Sequence, residues 1–143
     1  MCINSKPFGI KELWTAYQQT VFLLDAPPAL ASQACILTAC NPLGQIQTAS
    51  QNKLRQQQLA DCLMQQNIRF SPLSGASPDL SHQEASYLIV CDKPKGIELA
   101  EQFAQNALYW LDGDDLWLLP VLLAGVQSVY LGSFTKRCRI NNE

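Results

Sequence analysis

CILTACNP, residues 35–42, is a short apolar run that stops at Asn41-Pro42. A residue before proline avoids the α region, so Asn41 is extended or in a turn. The stretch therefore predicts a buried strand that ends in a polar loop. Downstream, Thr48 or Ser50 caps a helix that runs to about Asn67, where an asparagine can end it. IRFSPL, 68–73, reads as a strand, SGASPDLSHQ, 74–83, as a turn-rich loop, and SYLIVC, 86–91, as a second buried strand. Lys93-Pro94 opens a helix with Ile97, Ala100, Phe103, Ala104 and Ala107 on one stripe. LYWL, 108–111, and LWLLP, 116–120, flank Asp112-Gly113-Asp114-Asp115 and predict a hairpin.

From Cys35 to Leu111 the order is thus strand, helix, strand, strand, helix, strand. That βαββαβ order is the split β-α-β of ferredoxin-like folds, and the fold class is α/β (α+β), a two-layer sandwich. Upstream, Ile10, Leu13, Trp14 and Tyr17 recur at i, i+3, i+4, i+7 and predict an extra N-terminal helix, followed by a strand over TVFLL, 20–24. Two prolines make 26–33 a loop. Downstream, SVYLGSF, 128–134, adds a C-terminal strand, and the basic tail KRCRI is expected to fray. The 143 residues read as a single domain with its core at about 10–134.

Composition excludes several classes. The chain is 48% hydrophobic and 15% charged, with a net charge of −2, so it is too apolar for disorder and lacks the basic excess of a nucleic-acid binder. Fifteen glutamines replace much of the missing charge, and helical surfaces are expected to be neutral amide. The most apolar stretch, LWLLPVLLAGV, 116–126, is too short to span a bilayer and contains a proline. The start MCINSKPFGIKELW lacks the apolar region of a secretory leader. These features predict a soluble, cytoplasmic protein with no membrane partner.

Six cysteines stand at 2, 35, 40, 62, 91 and 138, and the lone histidine is His82. No pair has Cys-x-x-Cys spacing, so no metal site and no cofactor are expected. Cys35 and Cys40 sit at an odd offset on one strand, hence on opposite faces, and the thiols read as free, small hydrophobes. Cys40, beside Asn41, is the one weighed for reactivity, with packing the simpler role. The three aspartates of the hairpin lack the EF-hand spacing and its distal glutamate, which leaves a solvated turn. No Walker loop, dinucleotide fingerprint or nucleophile elbow is present.

The informative local feature lies in the helix after Asn41-Pro42. Its stripe includes Leu59, Cys62 and Leu63, and counting back from it by seven and four reaches Asn52 and Arg55. The first turns therefore aim an amide and a guanidinium toward the apolar side, unless both simply meet water at its rim. Chain direction extends the argument. The first strand ends where this helix begins, the 74–85 connection returns to the same end, and the second helix finishes there. Thr38, Asn41, Asn52, Arg55, Glu84, Ser86, Gln105 and Asn106 are thus expected at one rim. Polar groups gathered at a strand's carboxyl end and a helix N-terminus suit a small anionic ligand, or else a hydrogen-bond network that ties loops together.

The same residues resemble a family of small bacterial proteins, the domain of unknown function 3293. The matching pieces are Trp14-x-x-Tyr17-x-x-Thr20-x-Phe22, Thr38-Ala39-x-Asn41-Pro42, Asn52-x-x-Arg55 with Leu59 and Leu63, Glu84-x-Ser86-Tyr87, and Phe103-x-Gln105-Asn106-Ala107. The family tends to carry an aromatic residue where Cys40 stands, and often glycine where Ala104 stands. The resemblance implies the marked positions and brings no activity, cofactor or substrate.

Function is read in two ways. The first is a non-catalytic ligand-binding or adaptor module with a polar, amide-lined pocket, because amides bind and orient but do not transfer protons at neutral pH. The alternative is a small enzyme acting on a phosphate- or carboxylate-bearing metabolite, with Glu84 as catalytic base, Arg55 as anion clamp, and Asn41 and Gln105 as orienting groups. Nucleic acid ranks third, on Lys136, Arg137 and Arg139 alone. The flanking strands must cover the sheet edges or offer them to a second copy, which leaves room for a homo-oligomer.

Overall fold

The computed structural model describes residues 9–141, so Cys2 and the stretch weighed for a leader at 1–8 lie outside it. Helix α1 (Ile10–Tyr17) leads into β1 (Val21–Leu24) and β2 (Gln33–Leu37). A 3-10 turn at Pro42–Gly44 precedes α2 (Ala49–Gln65), the hairpin β3 (Phe70–Ala76) and β4 (Gln83–Ile89), and α3 (Lys93–Gln102). The chain continues through β5 (Ala107–Asp112), β6 (Asp115–Pro120), β7 (Val129–Ser133), α4 (Phe134–Arg137) and β8 (Cys138–Ile140).

This is a mixed α+β fold, with one eight-stranded sheet in the order β7-β6-β5-β2-β4-β3-β1-β8. Neighbours are antiparallel except β1 and β8, which run parallel with Phe22 opposite Cys138. A flat sheet of eight strands would hold its edges ~34 Å apart. Yet the two edge strands, β7 and β8, are joined by the four residues of α4, which rise only ~6 Å. The sheet therefore curls until its edges nearly meet.

Two cores follow from strand alternation. Cys35, Leu37, Ile89, Leu108 and Trp110 face Leu59 and Leu63 of α2 and Leu99, Ala100 and Phe103 of α3. The opposite parity, Ala34, Ile36, Leu88, Tyr109 and Leu111, points inside the curl and packs on Trp14, Tyr17, Phe22 and Phe134. A two-layer sandwich would have left that second face to solvent. Here the curl, α1 and α4 cover it. Phe22 sits edge-on to both Tyr109 and Phe134, with ring centroids 5.1 and 5.3 Å away.

Local chemistry explains most element ends. Thr48 and Gln51 form a reciprocal capping box at the start of α2, and Asp92 caps α3 through the Lys95 amide. Both helices end in the same motif. Asn67 takes φ 56 after α2, with Ile68 N–H on Leu63 O, and Ala104 takes φ 55 after α3, with Gln105 N–H on Ala100 O. Alanine is a poor occupant of the left-handed region. Ala104→Gly is expected to raise stability by about 0.5–1 kcal/mol, the relief of backbone strain less glycine's greater unfolded freedom. A small rise in Tm checks it, and a fall would show that the alanine methyl packs usefully.

Three stretches differ from their sequence reading. Residues 74–76 were expected in a loop but extend β3, because Ser74, Gly75 and Ala76 pair with both β4 and β1. The tail expected to fray carries β8, held by its ladder on β1 and by Arg137, which donates to Gln18 O and Thr20 O at 2.7 and 3.1 Å. Arg139 donates to Lys136 O and Cys138 O, so two of the three basic residues weighed for nucleic acid are engaged with carbonyls.

The aspartate-rich hairpin turn is more than solvated. Asp114 accepts from Ser133 Oγ at 2.5 Å and from Thr135 N at 2.8 Å, and so anchors the start of α4. The Ser133 hydroxyl, foremost, holds its carboxyl below the usual carboxylate range. A lowered folded value means that this stabilisation is complete above the ordinary unfolded range and disappears as pH falls through the folded value. Asp114→Asn should therefore lower Tm by roughly 2 °C at neutral pH. The difference from wild type should shrink in a Tm series taken down toward strong acid.

Candidate functional site

The rim where β2 ends is organised by a left-handed residue. Asn41 has φ 48 and ψ 63, which turns the chain sharply into Pro42. Its N–H donates to Asn52 Oδ1 at 2.9 Å, while its Oδ1 accepts from Asn52 Nδ2 and from the Gln47 amide, both at 2.9 Å. Its Nδ2 donates to Glu84 Oε2 at 3.1 Å. One asparagine thus links β2, the first turn of α2 and the start of β4.

Arg55 and Gln105 brace this rim from behind. Arg55 Nε donates to Ala39 O at 2.7 Å, and Nη2 to Phe103 O at 2.8 Å. Gln105 is fully buried and its Nε2 donates to Cys40 O at 3.0 Å and Phe103 O at 3.1 Å. The closing motif of α3 places Gln105 here. Together the two side chains satisfy carbonyls at the ends of β2 and α3 that have no helical or ladder partner.

In front of the rim lies a cleft of about 410 Å³, between the first turns of α2 and the start of β4. Asn41, Asn52, Lys53, Gln56, Glu84 and Tyr87 line it, with Cys40 in its wall. Gln56 is 8% exposed. Its Oε1 accepts from the Ala39 amide at 3.0 Å, which fixes the orientation of the side chain. Its Nε2 is the one buried side-chain polar atom among the described residues with no hydrogen-bond partner. A buried donor left unmatched costs roughly 1–3 kcal/mol, so this atom marks where a partner is called for. Burial pushes the Cys40 thiol up, and Cys40 is correspondingly a packing residue of the wall.

The eight residues expected at the rim divide into groups. Asn41, Asn52 and Glu84 line the cleft, whereas Arg55 and Gln105 stand behind it and do not. Arg55 is thus directed to backbone carbonyls, contrary to the role of anion clamp, and the cation on the cleft is Lys53. Thr38 and Ser86 share the inward parity of Ile36 and Leu88. With Thr20 and Tyr109 they surround an interior space of about 10 Å³, too small for a ligand. Thr38 Oγ1 donates to Ala85 O at 2.7 Å, and Ser86 Oγ to Glu84 O at 3.2 Å. Tyr109 Oη lies 2.5 Å from Tyr17 O and 2.7 Å from Thr20 Oγ1, and burial raises its phenol. Asn106, just before β5, accepts the amides of Val121 and Leu122 at its carbonyl, at 2.9 and 3.1 Å, and so ties the start of β5 to the β6–β7 connection, while its side-chain nitrogen lies beside Gly44 of the rim turn.

Sequence reasoning passed over Gln56. The signal was present, since Gln56, Leu59, Ala60 and Leu63 recur at i, i+3, i+4, i+7, and all four are buried. A polar residue at the head of a buried stripe marks a buried polar group directly. His82, the only histidine, is exposed in the β3–β4 loop. No helix among the described residues is long and apolar enough to cross a membrane.

No curated protein and no solved structure matches the chain. A family model described as a protein of unknown function, DUF3293, matches residues 37–108, half of the sequence, and that span contains all eight rim positions. The chain belongs to the DUF3293 family.

Proposed function

We propose that this protein is a non-catalytic ligand-binding or adaptor module, and that it binds a small ligand in the cleft between α2 and β4. The observation that carries this reading is Gln56, a residue of the cleft wall whose Nε2 is buried without an acceptor. Lys53 and the start of α2 favour an anionic group on one side of the cleft. Glu84 and the Asn52 amide face it from the rim, so the ligand is a small acid that also carries a hydrogen-bond donor. The strand order β5-β2-β4-β3, with α2 and α3 on one face, supports reading the centre of the single domain as a split β-α-β, ferredoxin-like unit. The free thiols at 35, 40, 62, 91 and 138 support a reducing, cytoplasmic setting in a bacterial cell.

The test is a thermal-shift screen against nucleotides, phosphorylated metabolites and amino acids. A true ligand at ~100 times its Kd adds about 2.7 kcal/mol. Gln56→Glu keeps an oxygen for the Ala39 amide but turns the unmatched donor into an acceptor, so it should cancel the shift. No shift across the three classes, or a shift untouched by Gln56→Glu, would overturn the reading. The enzyme alternative keeps Glu84 on the cleft wall in its favour. It predicts turnover of a panel compound that Glu84→Gln abolishes while binding persists.

A further inference from the structure

At the other end of β4 from the cleft, a second pair of groups carries chemistry. Cys35 lies in β2, fully buried, and Cys91 lies in the connection between β4 and α3. Their sulfurs are 3.8 Å apart. They are 56 positions apart in the sequence, and the ladder places Cys35 opposite Ile89, two residues before Cys91. Cys91 is past the last ladder residue of β4, so its backbone is freer to move than that of Cys35. A disulfide needs sulfurs ~2.05 Å apart, a closure of under 2 Å from the present geometry.

The surroundings favour the pair. Gly96 of α3 passes directly over it. A Cβ there would stand 3.3 Å from Cys35 Sγ and 3.7 Å from Cys91 Sγ, so the glycine leaves room for both sulfurs. Cys91 also lines an open surface depression with Asp92, Pro94 and Lys95 at the N-terminus of α3, so a small reagent can reach it. The two thiols are driven apart in acidity. The contact with the Cys35 sulfur lowers Cys91, while the contact with Cys91, together with burial, raises Cys35.

We propose that Cys91 and Cys35 form a reversible, oxidant-driven disulfide, with Cys91 as the attacking thiol and Cys35 as the resolving one. The oxidant is a hydroperoxide. The Cys91 thiolate attacks one peroxide oxygen, the O–O bond breaks, and hydroxide or alkoxide leaves, which makes Cys91 a sulfenic acid. The Cys35 sulfur then attacks Cys91 Sγ and the S–O bond breaks. The departing hydroxide takes the Cys35 proton as water. Two thiols lose two hydrogens, and the peroxide is reduced to water, or to water and an alcohol. The product ties the start of α3 to the central strand β2.

The experiment treats the whole protein with hydrogen peroxide and maps its tryptic peptides by mass. Peptide 12–53 should become joined to peptide 70–95, with loss of two hydrogens, and dithiothreitol should separate them. Cys40 shares the first peptide with Cys35, so the map is repeated in Cys40→Ala. Cys35→Ala should accumulate a sulfenic acid at Cys91 that dimedone traps. Gly96→Ala should slow the joining while both thiols remain. Iodoacetamide should label Cys91 about tenfold faster than Cys40. If Cys62 or Cys138 oxidises while 12–53 and 70–95 stay separate, or if Cys91→Ala loses hydrogens at the wild-type rate, the proposal fails. Should a variant not fold, fragmentation of the joined wild-type peptides decides, by assigning the bond to Cys35, as expected, or to Cys40, which would overturn the proposal.

Discussion

Phe134→Ala is expected to destabilise the protein by about 3–5 kcal/mol, the range for removing a fully buried aromatic ring. Phe134 is 0% exposed and stands at the start of α4, where the edges of the sheet converge. Its ring contacts Phe22 of β1 at 5.3 Å between centroids, so truncation opens a void inside the curl. Partial collapse is restricted because Tyr109 holds Phe22 from the other side. The loss should fall unevenly. Hydrogen exchange should quicken first in the β1–β8 ladder, while the amides of β2, β4 and β5 keep more of their protection. Chemical denaturation gives the magnitude. A cost below ~1 kcal/mol would mean that the ring does not seal the seam.

Arg55→Met comes next in size. Two charge-assisted hydrogen bonds, to Ala39 O and Phe103 O, are removed at once. Each such bond contributes ~1.5–3 kcal/mol. Arg55 is half-buried, so water recovers part of the carbonyl solvation, and methionine keeps the packing of the stem. The expected net loss is about 3 kcal/mol, or a Tm lower by roughly 10 °C. Arg55→Lys should recover less than half, because one ammonium does not span two carbonyls as the planar fork does. Full rescue by lysine would show that charge alone matters and that the bidentate brace does not.

Both variants lie where sequence and structure diverge, and the reasons are physical. Strand and helix order from Cys35 to Leu111 was legible because each element carries its own local signal. Asn41-Pro42 stops a strand, a cap at Thr48 or Ser50 opens a helix, of which the structure uses Thr48, and Gly113 at φ 59 suits a two-residue turn between paired Asp112 and Asp115. Chain direction also decides at which end a loop falls, and it brings Asn41, Asn52 and Glu84 of the eight expected positions to one cleft. Closure of the sheet was not legible. It depends on three residues, Cys138–Ile140, pairing with a strand at the other end of the chain, and no local period reports such a partner.

The side chains themselves were only half legible. Position along a stripe showed that Asn52 and Arg55 lean toward the core side, but not what each meets there. Arg55 meets carbonyls, which no spacing rule specifies, because backbone acceptors are present at every residue. Thr38 and Ser86 share the rim with Asn41 in chain order, yet strand alternation sends them through the sheet to its other face. Gln56 was missed because it directly follows the arginine that the stripe count selected. Its burial rests on the stripe that includes Ala60, a residue too small to stand out in a hydrophobic pattern.

The parallel pairing of β1 with β8 also bears on how the chain reaches this state. Arg137 and the carbonyl of Gln18 that it grips are 119 positions apart. Closing so long a loop carries a large entropic penalty before any contact rewards it, and topologies rich in distant pairings fold slowly. On the ribosome the first strand emerges early and waits beside an unsealed apolar interior until the eighth has been synthesised. The seam between β1 and β8 can therefore close only after residues 138–140 have been made.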